Sequence, residues 1–169
     1  MALEQEKVLE IADNFFKLAT KYEVFSDSSI SEFGEVLLKT PASLKFGTYE
    51  GGLLEFIMNY TSLAVKINNT LPEKNKSDVK SLVKVCFLTQ IGKIQIFDAN
   101  GSTFAYKKGL ANISMGARAA KFALEQGIKF TEDEYSSLIS VEDKESHFDN
   151  SLCKLIRFAT NLTISNYGH

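Results

Sequence analysis

The residue types that most often carry nucleophilic or metal chemistry are scarce in this sequence. It contains two histidines, His147 and His169, and two cysteines, Cys86 and Cys153. Each cysteine lies within an apolar pattern of helical spacing, which predicts a buried, reduced thiol rather than a disulfide or a metal pair. The sequence has no Gly-x-Ser-x-Gly elbow and no glycine-rich phosphate loop of the Walker or dinucleotide type. A conventional serine nucleophile or phosphate-loop enzyme is therefore not indicated.

Two short segments resemble the best-marked motifs of the HD superfamily of metal-dependent phosphohydrolases. The first reads Tyr-Glu-Gly-Gly-Leu-Leu-Glu at residues 49–55, and the second reads Phe-Leu-Thr-Gln-Ile-Gly-Lys-Ile at residues 87–94. In that family the first motif is typically Tyr-x-Gly-Gly-Leu-x-x-His, preceded by one or two histidines, and the second is Leu-x-His-Asp-x-Gly-Lys. The order and spacing agree, the match is closest to small bacterial and phage members, and the framework would span about residues 40–165.

The family's metal ligands are absent where the resemblance places them. The corresponding positions are Phe46, Gly47, Phe56, Thr89, Gln90, Met115, Val141 and Thr160. Phe56 takes the place of the histidine that closes the first motif, and Thr89 with Gln90 takes the place of the paired His-Asp. Histidine nitrogens and carboxylates hold the metals that activate water in such sites, and neutral Thr89 and Gln90 offer oxygens without negative charge. We therefore expect no metal and no cofactor, with Phe56, Met115 and Val141 filling the old pocket.

The first functional hypothesis is a catalytically inactive HD-like domain that serves as a protein-interaction, accessory or structural component, possibly of a phage. A protein partner or self-association is expected. The aromatic residues of a predicted β-hairpin, Phe97, Phe104 and Tyr106, are its candidate interface, although they would equally cap the domain's own core.

A second hypothesis is a nucleotide or anion sensor that keeps the cleft without hydrolysis. Lys93, Arg118 and Tyr49 would then line the site, although we favour the interpretation of Gly92-Lys93 as a helix terminator followed by an exposed lysine, and of Tyr49 as a packing residue. Residual metal-dependent hydrolysis ranks last, because it requires carboxylates such as Glu55 to converge, and Glu55 directly precedes the old ligand position and should point elsewhere on its helix.

The apolar periodicity predicts the elements that would position these residues. Residues recurring at three- and four-residue steps predict a helix over about 3–23. A loop is predicted at 24–29, and further helices are predicted at about 30–38, at 53–67, from Ser77 to Phe87 and from Asn112 to Gly127. Two more helices should begin at a capping box of Thr131 with Glu134 and near Asn150. In the last of them Leu162 should face inward. Asn-Gly between β-prone runs in residues 94–106 predicts a hairpin. The result is a mostly all-α bundle of six to seven helices with one small β-hairpin, and the helices around residues 53–67 and 77–87 should form the centre of the core.

Composition limits the remaining classes of function. A chain of 169 residues that is 44% hydrophobic with a net charge of -2 is ordinary for one domain, residues 1–169, with helices in residues 3–39 packed on the HD-like framework. Nucleic-acid binding is not expected, because the lysines around residues 74–84 lack arginine and interleaved aromatics. No apolar stretch reaches the length of a membrane span and the start is charged, so we expect a cytoplasmic protein, in the host cytoplasm or virion if phage-encoded.

Overall fold

The computed structural model describes residues 5–100, 103–110, 113–141 and 150–167. Within these ranges the α-helices are α1 (Gln5–Lys21), α2 (Asp27–Lys39), α3 (Gly52–Thr70), α4 (Val79–Thr89), α5 (Met115–Glu125), α6 (Glu132–Ser140) and α7 (Ser151–Tyr167). Strands β1 (Phe97–Asn100) and β2 (Thr103–Tyr106) form an antiparallel hairpin, and 3-10 turns lie at Glu73–Asn75 and Ile91–Gln95. The predicted fold class, a mostly helical bundle with one small hairpin, is confirmed.

The centre of the core lies on α3 and α4, as the apolar pattern predicts. Helix α3 packs against α1, α2, α4 and α7, and α4 packs in addition against α5 and α6. The side chains of Leu53 and Tyr60 on α3 and of Leu82 and Phe87 on α4 are fully buried. Both cysteines are buried and neither forms a disulfide, which confirms the prediction of core thiols. None of the described helices is long and apolar enough to cross a membrane.

Three helix starts differ from the sequence prediction because of capping side chains. Helix α2 is capped by Ser26, so residues 27–29 form its first turn and not a loop. Helix α4 is capped by Asp78, the residue after the predicted Ser77, and α5 is capped by Ser114. In each case the cap's side-chain oxygen accepts a hydrogen bond from the backbone N–H three residues later. The capping box of Thr131 with Glu134 is confirmed.

Close backbone packing at the start of α3 requires glycine. A Cβ at Gly52 would lie 2.2 Å from the carbonyl oxygen of Gly47, and one at Gly47 would lie 2.6 Å from the Cβ of Ala42. Gly47 also has φ +59°, which favours glycine. This close approach of Gly47 and Gly52 fixes the loop before α3 against the helix that carries Phe56.

A buried ion pair joins α4 to α6. Lys84 Nζ lies 2.7 Å from the Glu134 carboxylate, and the two side chains are 13% and 6% exposed. The Ser81 hydroxyl and the Thr131 backbone N–H also donate to this carboxylate, at 2.9 Å and 3.0 Å. Burial alone raises the pKa of Glu134, but the hydrogen bonds from Lys84, Thr131 and Ser81 and the charge of Lys84 together hold this pKa below its usual range.

Substitution Lys84→Met should lower the free energy of unfolding at pH 7 by about 1–3 kcal/mol, because a buried carboxylate loses its charged donor. Since the native pKa of Glu134 is lowered, the contribution of the pair is complete above the unfolded-state value of about 4.3 and is lost as pH falls through the native pKa. Urea denaturation from pH 7 down to about pH 3 should show the difference from wild type shrinking below about pH 4.

The matched control is Lys80→Met, on the same helix, whose partner Glu23 is exposed. Its effect should stay below about 0.5 kcal/mol. A Lys84→Met difference that stays constant to about pH 3 would contradict the role assigned to the ion pair.

Candidate functional site

A pocket of about 370 Å³ lies among α3, the turn after α4, the end of α6, and α7. The described residues that line it are Phe56, Gln90, Lys93, Val141, Arg157, Thr160, Asn161 and Ile164. Four of them, Phe56, Gln90, Val141 and Thr160, are positions at which the HD resemblance places metal ligands. The tertiary structure therefore brings together residues that are far apart in the sequence.

Phe56 forms an aromatic wall of this pocket and is 1% exposed. Its ring centroid lies 5.4 Å from those of Phe46 and Tyr60 and 5.9 Å from that of Tyr167, and Phe46 stacks on Tyr167 at 5.0 Å. We call Phe46, Phe56, Tyr60 and Tyr167 the aromatic cluster. Such pairs contribute stability beyond the area they bury. Two positions that the resemblance assigns to histidine therefore hold packed phenylalanine rings.

Thr89 stands where the resemblance places a histidine, and it makes a buried hydrogen-bonded pair with Tyr60. Its hydroxyl donates to the Cys86 carbonyl at 2.8 Å and lies 2.6 Å from the Tyr60 hydroxyl. Because the single Thr89 proton is directed to Cys86, the Tyr60 hydroxyl is the donor to Thr89. Burial raises the pKa of Tyr60 well above its usual range, so this donor keeps its proton. The adjacent Gln90 is buried and contributes a neutral amide to the pocket.

Lys93 is half-buried at the pocket, which shows that its interpretation as an exposed lysine after a helix terminator is wrong. Its Nζ donates to the Ala42 carbonyl and lies 5.0 Å from the centroid of the Phe56 ring. The preceding Gly92 lies inside a 3-10 turn and is not in the left-handed region. It is glycine because a Cβ there would lie 2.9 Å from the Met115 carbonyl oxygen. The turn therefore directs an ammonium group to the edge of the aromatic cluster.

Arg157 is the pocket residue that sequence reasoning missed, together with Asn161 and Ile164. Its guanidinium donates to the Val141 carbonyl at 3.1 Å and to the Ser140 carbonyl at 2.9 Å. Carbonyls at the end of a helix lack partners within the helix and attract cations, so Arg157 closes the end of α6. Its position gave a signal: it is one of two arginines in the sequence, placed inside the inward pattern of the last helix.

The residues predicted for anion binding are not gathered at one place. Lys93 lines the pocket, whereas Tyr49 and Arg118 are not among its described lining residues. The Tyr49 hydroxyl donates to the carboxylate of Glu55. Burial and that hydrogen bond raise the pKa of Tyr49. Met115, predicted to fill the pocket with Phe56, packs instead against Gly92.

The residues present do not fit a divalent metal. Apart from two cations, the polar groups among the described lining residues are the amides of Gln90 and Asn161 and the hydroxyl of Thr160. Within the described ranges, no group of three or more histidine, cysteine, aspartate or glutamate side chains is placed to hold a metal ion. His147, His169 and the acidic stretch at 142–145 lie outside the described residues. We therefore derive no metal-dependent step.

The three hairpin aromatics differ in exposure. Phe97 is buried and stacks on Tyr106, its cross-strand partner, with ring centroids 5.2 Å apart. Phe104 is half-buried and Tyr106 is 59% exposed. Of the candidate interface, Phe97 therefore packs on the domain itself, and Tyr106 faces solvent.

No protein-family model, no curated protein and no solved structure matches this chain.

The Thr89–Tyr60 pair can be tested with a double-mutant cycle. Thr89→Val should lower the free energy of unfolding by about 1–3 kcal/mol, because the Tyr60 hydroxyl is left buried without an acceptor. Tyr60→Phe should cost less in the Thr89→Val background than in wild type, with a coupling of about 1–2 kcal/mol in urea denaturation. The control is Thr160→Val, because the Thr160 hydroxyl donates to Ile156 of its own helix, and its effect should be below about 0.5 kcal/mol. Strict additivity of the two substitutions would contradict the assigned hydrogen bond.

Proposed function

We propose that this chain is a non-catalytic HD-like domain that works as a structural or accessory component, through contacts with other protein chains and in the first place with a second copy of itself. The observation that carries the proposal is the pocket in which Phe56, Gln90, Val141 and Thr160 meet. These positions come together as a ligand set would, and they carry two apolar side chains, an amide and a hydroxyl. None of the described lining residues is a histidine, cysteine or carboxylate.

The chemistry around the pocket supports stability rather than turnover. Buried carboxylates are costly to desolvate, and replacing buried charges by packed apolar groups is often neutral or stabilising. Here the rings of the aromatic cluster fill the region beside the pocket with apolar volume. The hydroxyls of Thr89 and Tyr60 satisfy each other through a buried hydrogen bond. Tyr49 and Arg118 are not among the described lining residues, and the two cations that are, Lys93 and Arg157, donate to backbone carbonyls, which favours this proposal over an anion sensor.

Restoring the family's ligands should restore metal binding if the pocket descends from a metal site. The variant carries Phe56→His, Gln90→Asp, Val141→His and Thr160→Asp, all at positions that line the pocket. Elemental analysis after dialysis against Mn²⁺ should find at least about one metal per chain, since imidazoles and carboxylates then converge on one pocket. Wild-type protein should hold none and should show no phosphatase or phosphodiesterase turnover in Mn²⁺.

The matched control carries the same residue types at exposed helix positions, as Asn14→His, Asn69→His, Ser151→Asp and Ser165→Asp. Circular dichroism checks that each variant is folded. If the fourfold variant unfolds, Gln90→Asp with Thr160→Asp leaves the aromatic cluster intact and should still bind Mn²⁺ more tightly than the control. Binding no tighter than the control, or metal-dependent turnover by wild type, would contradict the proposal.

An exposed face of α7 is the surface we assign to self-association. It consists of Ser151, Lys154, Phe158, Asn161, Leu162 and Ser165, which lie on one side of the helix. Phe158 is 58% exposed and Leu162 is 41% exposed. The prediction that Leu162 faces inward is wrong, because the next residue, Thr163, occupies the buried position on α7.

The charge of this α7 face suits a contact with its own copy. In a two-fold symmetric interface the same patch lies on both sides, so like charges face each other. Lys154 is the one charged residue on the face, and the remainder is apolar or neutral. Two copies therefore meet with little electrostatic repulsion.

Substitutions Phe158→Asp and Leu162→Asp should abolish self-association, because they remove the apolar contact and place carboxylates opposite one another. Sedimentation velocity over a range of concentrations should show wild type passing from monomer to dimer and the double variant remaining monomeric. Leu9→Asp with Val36→Asp changes exposed apolar residues on α1 and α2 and should leave the dimer intact. A wild type that is monomeric throughout, or a double variant that still dimerises, would contradict the assignment.

A further inference from the structure

A second pocket, of about 330 Å³, opens between α1, α3 and α4, and we call it the α1–α3 groove. Val83 and Phe87 of α4 form its floor and are buried. Its walls are the half-buried side chains of Leu18, Tyr22, Met58 and Val65. None of the residues assigned to the first pocket lines this groove. The groove is therefore a separate, largely apolar concavity.

Polar groups of the α1–α3 groove lie along α3. Ser62 and Lys66, one helical turn apart, line the groove and are exposed. Among the described lining residues there is one cation, Lys66, and no carboxylate. The charge at the groove therefore favours an anionic partner over a cationic one.

Thr61 places a buried and weakly satisfied hydroxyl at the groove. It lines the groove and is 6% exposed, and its hydroxyl makes no hydrogen bond of standard geometry within the described residues. Its polar neighbour is the Cys86 thiol, which burial keeps neutral by raising its pKa, so the hydrogen bond from Thr61 to this sulfur is a weak one. The groove therefore has a polar group beneath its apolar surface that is incompletely satisfied.

We propose that the α1–α3 groove binds a small anionic amphiphile, of the class of aliphatic carboxylates. The hydrocarbon chain lies on Val83 and Phe87 between Met58 and Leu18, and the carboxylate faces Ser62 and Lys66. A volume of about 330 Å³ is at the small end of ligand sites, which suits one aliphatic chain. Met58 is the adaptable wall, since an unbranched thioether repacks easily around a ligand. This inference does not depend on the proposed function.

The methionines make the groove directly observable. The sequence contains Met1, Met58 and Met115, so methyl-labelled methionine gives three resonances. Met58 lines the groove, whereas Met115 packs against Gly92. Titration of the full-length chain with decanoate, below the concentration at which it forms micelles, should shift the Met58 methyl resonance saturably and leave that of Met115 unchanged.

Two pairs of variants define the site. Ser62→Trp fills the groove from an exposed position and should abolish the Met58 shift, whereas Asn69→Trp, also exposed on α3 and outside the groove, should not. Lys66→Glu should weaken decanoate binding about tenfold by removing an attractive charge and adding a repulsive one, whereas Lys7→Glu, exposed on α1 and outside the groove, should leave it unchanged. Should Ser62→Trp fail to fold, the lysine pair still decides the question.

Decyltrimethylammonium, with the same chain length and the opposite charge, should bind at least about tenfold more weakly than decanoate. Three outcomes would overturn the inference: a Met58 resonance that decanoate does not shift, equal binding of the two amphiphiles, or binding that survives in folded Ser62→Trp.

Discussion

Burial of the Phe56 ring connects the parts of this molecule that surround the candidate site. The ring belongs to α3, and it meets Phe46 of the preceding loop and Tyr167 at the end of α7. Burial of a large apolar side chain stabilises a fold by about 1.5–3 kcal/mol relative to leaving it exposed. Since α3 also packs on α1, α2 and α4, the aromatic cluster links the first and last helices of the chain through one central element.

The polar groups around the aromatic cluster are arranged so that the ring can remain buried. Tyr60 donates to Thr89, Thr89 donates to the Cys86 carbonyl, and Lys93 donates to the Ala42 carbonyl beside the Phe56 ring. Arg157 donates to the last carbonyls of α6. Apart from Tyr60, whose acceptor is the Thr89 hydroxyl, these groups donate to backbone carbonyls. The region therefore stabilises the end of α6 and the loop before α3, in keeping with the proposed structural role.

The two proposed binding surfaces follow from different shapes. The α7 face is a convex helical stripe with Phe158 at its centre, suited to another helix. The α1–α3 groove is concave, with Val83 and Phe87 of α4 at its floor. A convex apolar stripe buries area only against a macromolecule, whereas a narrow groove encloses a small chain. The α7 face and the α1–α3 groove are accordingly proposed to bind different partners, a second copy of the chain and a small amphiphile.

Sequence by itself determined the fold class, the two central helices, the hairpin and the buried cysteines. These features depend on periodicity of apolar residues, on turn residues and on steric limits that act within a few residues along the chain. The resemblance also singled out Phe56, Gln90, Val141 and Thr160, and the structure shows that they share one pocket.

Only the tertiary structure decided which side chains face that pocket and which do not. Lys93 reaches it because a 3-10 turn redirects the chain after α4, and Arg157 reaches it because α6 ends against α7. Tyr49 does not line it, because its hydroxyl is held by Glu55. Likewise, the rotation of α7 about its own axis places Thr163 in the core and leaves Leu162 exposed. Such outcomes depend on how whole helices cross and on partners distant in sequence, and local patterns carry no information about either.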